Sequence, residues 1–275
     1  MMIQLTLAQA QRIRELGEVV DDSLVFASEE QRDEFFTKIV SKLVKSNRKK
    51  IQQMAQFPER NPIAVLENNL AQALVAEGFI EVKTPQMISA AALEKMGITE
   101  SHPLHEQVFW INQKKCLRPM LAPNLYHYMR QLKRNVPKSL KIFEIGSCFR
   151  KESHGSNHLE EFTMLNLVDV NSESDAMERL KKHIGTVMDT LQLDYELVVT
   201  GSEVYGQTLD VEVGGIEIAS GAIGPLPMDE AHGINEPWAG VGFGLERICM
   251  LQQREQNIRS VGRSLSYLNG ARLDI

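Results

Sequence analysis

Two segments narrow the folds open to this chain more than any others. One is a strand that must turn back on itself; the other is a glycine-rich strand that must run straight into a helix. Phe149-Arg150-Lys151-Glu152 reads as a strand end followed by a polar loop, and His158-Leu159-Glu160-Glu161-Phe162 leads into the returning strand. About 80 residues later, Gly240-Val241-Gly242-Phe243-Gly244-Leu245-Glu246-Arg247 reads as a glycine-rich strand entering a helix that carries an arginine. Together they supply two arginines, a carboxylate and an aromatic face. That set suits an ATP whose α-phosphate is to be attacked.

The flanking pattern predicts the remaining elements. Thr6 caps a short helix through Leu16, stopped by Gly17. Ser28-Glu29-Glu30-Gln31 has the form of a capping box, and Phe35, Phe36, Ile39, Val40, Leu43 and Val44 then keep helical spacing. Phe57-Pro58-Glu59-Arg60-Asn61-Pro62 separates this N-terminal helical region, residues 1–60, from a second domain at 61–275. Pro62 opens a helix to Glu77 that stops at Gly78, and Phe79-Ile80-Glu81-Val82 is strand-like. Pro123 fits the first turn of a helix to about Arg134. Strands are expected at 141–150, 161–170, 195–200, 205–213 and 216–223, with a helix at about 174–191 and a hairpin turn at Gly214-Gly215. Consecutive strands with helices outside them predict an α+β fold on an antiparallel sheet. A dinucleotide GxGxxG after an early strand and a GxxxxGK[ST] loop are both missing from the sequence.

Carboxylate attack on the α-phosphate of ATP needs no protein base, because the nucleophile is already ionised. Catalysis then rests on positioning and charge neutralisation. Arg150 would bind the α-phosphate through its fixed fork of donors. Glu152 would accept from the adenine amino group or orient Arg150. Phe162 would cover one adenine face, and Arg247 would stack on the other while reaching the γ-phosphate. Gly240, Gly242 and Gly244 would let the backbone approach ligand closely. Glu217 and Ser220 offer oxygen ligands for Mg²⁺. On a regular strand, residues three apart face opposite sides, so both reach one ion only if the strand kinks, with Gly221 the candidate position, or if a water or backbone atom intervenes. Phe162, Met164, Asn166, Val168 and Val170 share one face of their strand, which puts a lone amide on an apolar surface.

The two opening segments, in this order and spacing, resemble motifs 2 and 3 of the class II aminoacyl-tRNA synthetases. The helix-Gly-strand-Pro unit of residues 62–85 resembles motif 1, the dimer-forming segment of that family. A narrower resemblance is carried by Arg118-Pro119-Met120-Leu121-Ala122-Pro123-Asn124-Leu125-Tyr126 and Phe143-Glu144-Ile145-Gly146. It continues through Arg150 to Ser153, His158 to Asn166, Gly240 to Arg247 and Ser266-Tyr267-Leu268-Asn269-Gly270. These runs are similar to the pyrrolysyl branch of the family, in the short form without the separate N-terminal tRNA-binding domain. The resemblance implies ATP and Mg²⁺, a cognate tRNA, an amino-acid substrate and a homodimer. It adds His158 and Leu159 to the ATP-binding set of Arg150, Glu152, Phe162, Glu217, Ser220, Gly242 and Arg247. It also implies a pocket for a lysine bearing a bulky Nε-acyl group, lined by Ala122, Leu125, Tyr126, Met129, Val168, Ala222 and Trp238. In that pocket Asn166 would bond the substrate amide and Tyr205 would lie on a covering loop.

Charge bears on the acceptor. The chain of 275 residues has a formal net charge of −6, which argues against a nonspecific nucleic-acid binder. A local basic run nevertheless holds Lys38, Lys42, Lys45, Arg48, Lys49 and Lys50 with no acid among them, and Lys42, Lys45 and Lys49 are the candidate tRNA contacts. A solvated helix face is the alternative for that run. Three cysteines without CxxC spacing indicate neither a disulfide framework nor a zinc site and fit a reducing cytoplasm. No apolar run approaches membrane-spanning length, and the polar N-terminus is unlike a signal peptide. Two other readings remain open: a carboxylate-activating ligase with a non-tRNA acceptor, and an inactive synthetase-derived regulatory subunit.

Overall fold

The computed structural model describes residues 3–21, 23–136, 138–151, 159–171 and 173–275. In chain order the helices α1 (Leu7–Glu15), α2 (Glu29–Gln56) and α3 (Pro62–Ala76) come first. They are followed by β1 (Ile80–Glu81), β2 (Met87–Ser89), α4 (Ala90–Glu94), α5 (Pro103–Glu106), β3 (Trp110–Asn112) and β4 (Lys115–Leu117). Next are α6 (Ala122–Lys133), β5 (Ser139–Phe149), β6 (Glu161–Asn171), α7 (Ala176–Leu191), β7 (Glu196–Ser202), β8 (Gly206–Val213) and β9 (Ile216–Gly224). A short α8 (Asp229–His232), β10 (Trp238–Gly244), α9 (Leu245–Gln253) and the hairpin β11 (Tyr267–Leu268) and β12 (Ala271–Arg272) complete the chain. These elements divide into two compact units. One holds Met1–Val65, His154–Leu159 and Glu246–Ile275; the other holds Leu66–Ser153 and Glu160–Leu245.

In the first unit the two ends of the chain fold together. Thr6 and Gln9 form a complete capping box at the start of α1, whereas the Ser28 side chain caps α2 by accepting from Gln31 N. Ile13, Leu16 and Leu43 form a small apolar core with Phe36, Ile39, Val40 and Val44 against it. The buried Asn47 ties three segments at once. Its Nδ2 donates to the carbonyls of Leu16 and Leu43, and its Oδ1 accepts from Arg272 N at 2.7 Å. Tyr267 adds a second tie by donating to the Glu15 carbonyl at 2.9 Å. On α2, Lys38, Lys42, Lys45 and Lys49 are exposed and recur every three or four residues. At 3.6 residues per turn they form one stripe opposite Phe36, Val40, Leu43 and Asn47.

The second unit is built on a seven-stranded sheet in the order β1-β5-β6-β10-β9-β8-β7. All neighbours pair antiparallel except the β1–β5 edge, which is parallel. The fold is therefore α+β on a large antiparallel sheet, as the strand pattern predicts, and Gly214-Gly215 joins β8 to β9 as expected. One face packs on α7, whose Leu180, Ile184, Val187, Met188 and Leu191 are buried at helical spacing. Asp175 caps this helix by accepting from Glu178 N. On that face Asp169 is buried with His183 Nε2 2.9 Å from its Oδ2 and Arg179 3.2 Å from its Oδ1. The opposite face packs on α6 and carries the residues of chemical interest.

Beside α6 lies a small sheet, β2-β4-β3, that the sequence pattern does not predict. Where it meets the main sheet, Arg118 and Glu144 form a buried ion pair at 2.7 Å. Arg118 also donates to the Ser147 carbonyl and to Thr84 Oγ1, and Thr84 donates to both Glu144 oxygens. Asn124, in the first turn of α6, donates to Thr84 Oγ1 at 2.7 Å. The pair is thus hydrogen-bonded on both sides, the condition under which a buried ion pair is tolerated. It fixes where α6 starts.

Candidate active site

Register determines which side chains share the α6-facing surface. Glu144, Asn166, Gly242, Ser220 and Asp210 are successive partners across β5, β6, β10, β9 and β8, so they lie on one rung and one face. The next rung holds Ile142, Val168, Gly240 and Ala222, and the one beyond holds Leu140, Val170, Trp238 and Gly224. In the other direction Met164 pairs with Gly146 and Gly244, and Phe162 pairs with Cys148.

The conflict between Glu217 and Ser220 is resolved by a β-bulge. Asp210 pairs with Ser220 and Val211 with Ala219, but Glu212 pairs with Glu217. Ile218 is the extra residue, and it shifts the alternation by one. Glu217 therefore returns to the face of Ser220, while Ile218 and Ala219 are both buried on the other side. The kink lies at Ile218 rather than at Gly221. Asp210 is a residue that sequence reasoning passed over. It accepts from Ser220 Oγ at 2.6 Å and also from Thr200. Because the Ser220 proton is committed to Asp210, the lone pairs of that hydroxyl stay available to a cation. Thr208, Asp210 and Glu212 form the polar half of an alternating strand, the signal that would have found it.

Arg150 and Phe162 are brought together. The guanidinium lies 5.4 Å over the Phe162 ring and donates from Nε to the Pro119 carbonyl at 2.9 Å. Arg150 N donates to the Glu160 carbonyl, which ties the two strand ends. Gly242 keeps the middle rung open. A methyl group there would come within 3.2 Å of Met164 Cε and 3.6 Å of Asn166 Nδ2. Among the described residues, Asn166 finds no hydrogen-bond partner for its amide, and it is only partly buried.

Every residue expected in the apolar pocket falls in one cluster. Ala122, Leu125, Tyr126 and Met129 come from α6, Val168 from β6, Ala222 from β9 and Trp238 from β10, with Tyr205 packed against them. The ring of Tyr126 stacks on His232 at 4.4 Å, and Trp238 meets Tyr126 and Tyr205 edge-on. Burial, with the Asp229 hydrogen bond assisting, pushes the Tyr126 hydroxyl above its ordinary range, and burial does the same to Tyr205. Both remain protonated donors. Burial also lowers His232, so a neutral ring backs Tyr126.

The remaining expected residues fall outside this unit or outside the described residues. Leu159 and Arg247 belong to the other unit, Arg247 in the first turn of α9 and Leu159 packed over Gly262. Glu152 and His158 lie outside the described residues. A cavity of about 500 Å³ in that other unit, lined by Arg263, Tyr267 and Asn269 among others, contains none of the expected site residues. Among the described residues no cluster of three or more His, Cys, Asp or Glu could hold a metal ion by itself. No helix among them is long and apolar enough to cross a membrane.

With this geometry in hand, known proteins give consistent matches. The family model described as tRNA synthetases class II core domain (F) matches residues 45–269. A solved pyrrolysyl-tRNA synthetase from Desulfitobacterium hafniense is 44% identical, covers 99% of this chain and 99% of its own, and superposes with a TM-score of 0.91. A structure of Desulfitobacterium hafniense PylSc, a pyrrolysyl tRNA synthetase, gives 43%, 99%, 96% and 0.89. A lysine--tRNA ligase of Wigglesworthia glossinidia brevipalpis is 38% identical over 104 residues, which are 37% of this chain and 18% of that enzyme. A threonine--tRNA ligase of Wolbachia sp. subsp. Brugia malayi is 32% identical over 101 residues, 34% of this chain and 15% of that enzyme. The chain thus spans under a fifth of the length of these two curated relatives.

Proposed function

The chain belongs to the class II aminoacyl-tRNA synthetases, and from that premise we propose that it activates pyrrolysine, an Nε-acylated lysine, with ATP and transfers it to a cognate tRNA. One observation carries the reading: the order of residues along a single face of β6. Phe162, beside Arg150, stands at one end, Asn166 in the middle with no amide partner among the described residues, and Val168 and Val170 against the apolar cluster at the other. At about 3.3 Å per residue, Asn166 is roughly 13 Å from each end. A nucleotide, a lysine side chain and an acyl group need that sequence of environments. Asn166 and Ser220 are two strand spacings apart, about 10 Å. An extended lysine can lie between an anchor on its ε-amide and a carboxylate at the phosphates.

In this reading the amino-acid carboxylate attacks the α-phosphorus of ATP and pyrophosphate leaves. Arg150 holds the α-phosphate and balances the charge that builds there. Phe162 and Arg247 hold adenine, with Glu152, His158, Leu159 and Gly242 completing the nucleotide site. Glu217 and Ser220 would hold Mg²⁺, with Asp210 keeping the Ser220 lone pairs turned outward. A bound Mg²⁺ would offset phosphate charge. Asn166 bonds the substrate amide, while Ala122, Leu125, Tyr126, Met129, Val168, Ala222 and Trp238 enclose the acyl group beneath Tyr205. The lysine stripe of α2, with Lys42, Lys45 and Lys49, suits an RNA backbone and favours tRNA over a non-nucleic-acid acceptor. Val75 and Ile80, exposed on the motif 1 segment, suit a homodimer contact.

The test is ATP–pyrophosphate exchange measured over the canonical amino acids, pyrrolysine and an Nε-acyl-lysine. Exchange driven by pyrrolysine and the acyl-lysine but not by free lysine supports the proposal. Exchange with a canonical amino acid alone would replace it.

A further inference from the structure

Behind the apolar cluster lies a carboxylate with no role in the chemistry above. Asp229 opens α8 and is completely buried. Its Oδ1 accepts from Tyr126 Oη at 2.7 Å. Its Oδ2 accepts from Trp238 Nε1 at 2.6 Å and from Leu226 N at 2.7 Å. Among the described residues no cation forms an ion pair with it. A carboxylate without a cation is costly to bury, and three donors in good geometry offset that cost. All three partners donate, so only an acceptor with two free oxygens satisfies them together.

The two side chains so held are the aromatic walls of the pocket, and they come from different layers. Tyr126 stands on α6 and Trp238 on β10, in the sheet. Their rings meet edge-on with centroids 6.1 Å apart, and Trp238 makes a second edge contact with Tyr205. The backbone enforces the same placement. Gly224 pairs with Trp238 across β9 and β10, and a Cβ at Gly224 would lie 1.9 Å from Trp238 Nε1. Only a glycine lets the indole lie across the strand and reach Asp229.

We propose that Asp229 is a positioning residue that sets the depth and selectivity of the amino-acid pocket by clamping Tyr126 and Trp238 at a fixed separation. This rests on the reading of the apolar cluster as the acyl-lysine pocket. The carboxylate touches no substrate. It removes two rotamer freedoms from the wall, so the cavity has one size rather than several, and acyl groups are discriminated by fit.

Asp229→Asn keeps the volume but offers one good acceptor to donors on both sides, so one aromatic is released. In pyrophosphate exchange the KM for a bulky Nε-acyl-lysine should rise about tenfold, with kcat and the KM for ATP nearly unchanged. The preference for bulky over short acyl chains should shrink by a similar factor. Tyr126→Phe, which removes one bond and keeps the ring, should move the same preference in the same direction by less. Gly224→Ala, which displaces the indole without touching Tyr126, should match Asp229→Asn. The indole N–H signal of Trp238, one of two tryptophans in the chain, should shift in Asp229→Asn and Gly224→Ala. If the wild-type protein activates no Nε-acyl-lysine, the pocket reading fails and the clamp with it. If wild type activates them and Asp229→Asn keeps both KM and preference, the clamp alone is overturned. If Asp229→Asn does not fold, Tyr126→Phe decides, and an unaltered acyl preference in that variant overturns the proposal.

Discussion

The two faces of the seven-stranded sheet are made of the same strands and have opposite character. The face toward α7 is closed. Leu165, Leu167, Val241 and Phe243 are buried at 0–1% exposure, and its polar residues, Asp169, Arg179 and His183, answer one another. The face toward α6 is open along its middle. Gly242 contributes no side chain, Asn166 has no amide partner among the described residues, and the Ser220 lone pairs point away from Asp210. A sheet that packs one face densely can leave the other incomplete, and the incomplete face is where a ligand supplies the missing partners. The α7 face should therefore govern stability and the α6 face catalysis.

The largest expected effect is on the closed face. Asp169→Ala removes one member of a buried ionic group and should destabilise the fold by about 3–5 kcal/mol. Chemical denaturation measures this directly. The folded fraction should keep its KM values, and a shifted KM for the amino acid would show that the faces communicate.

Arg150→Ala is the counterpart on the open face. It should slow pyrophosphate exchange by orders of magnitude, about 3–4 kcal/mol of barrier, with the denaturation midpoint little changed. Near-normal exchange by the folded variant would remove Arg150 from the chemistry. Asn166→Ala follows at about 1–3 kcal/mol, seen as a higher KM for amide-bearing lysines. An equal loss for every substrate would instead give Asn166 a structural role.

The smallest effect concerns acid. Burial raises the Asp169 carboxyl, but the hydrogen bond from His183 and the charge of Arg179 outweigh it, and the net result is below the ordinary range. A depressed carboxyl contributes stability above its unfolded value near 3.8 and loses it as pH falls through the folded value. The gap in stability between wild type and Asp169→Asn should stay constant from pH 7 to 5 and narrow below about pH 4. Narrowing already at pH 6 would implicate a different group.

The open face was largely legible in the sequence, because its signals are local. Strand alternation places Asn166 on the same face as Phe162, and the Pro123 helix start places Ala122, Leu125, Tyr126 and Met129 on one side. What could not be read depends on distant pairing. The bulge at Ile218 is a property of two strands in register, so Glu217 and Ser220 seemed to disagree until β8 was in place. Asp229 meets Tyr126 across 103 residues of chain, and Thr84 meets Glu144 across 60. No periodicity records such contacts. The closed-face acid Asp169 was equally invisible, since an acid in a strand looks exposed until a helix brings His183 and Arg179 to it.

Asn166 and Asp169 stand three residues apart on β6 and face opposite sides, so they are the most direct test of whether the two faces are separable. A double-mutant cycle with Asn166→Ala and Asp169→Asn should be read in both unfolding free energy and pyrophosphate exchange with an Nε-acyl-lysine. Separable faces should give additivity within about 0.5 kcal/mol in each. A coupling above about 1 kcal/mol in either measurement would contradict it, showing that the sheet transmits what it otherwise separates.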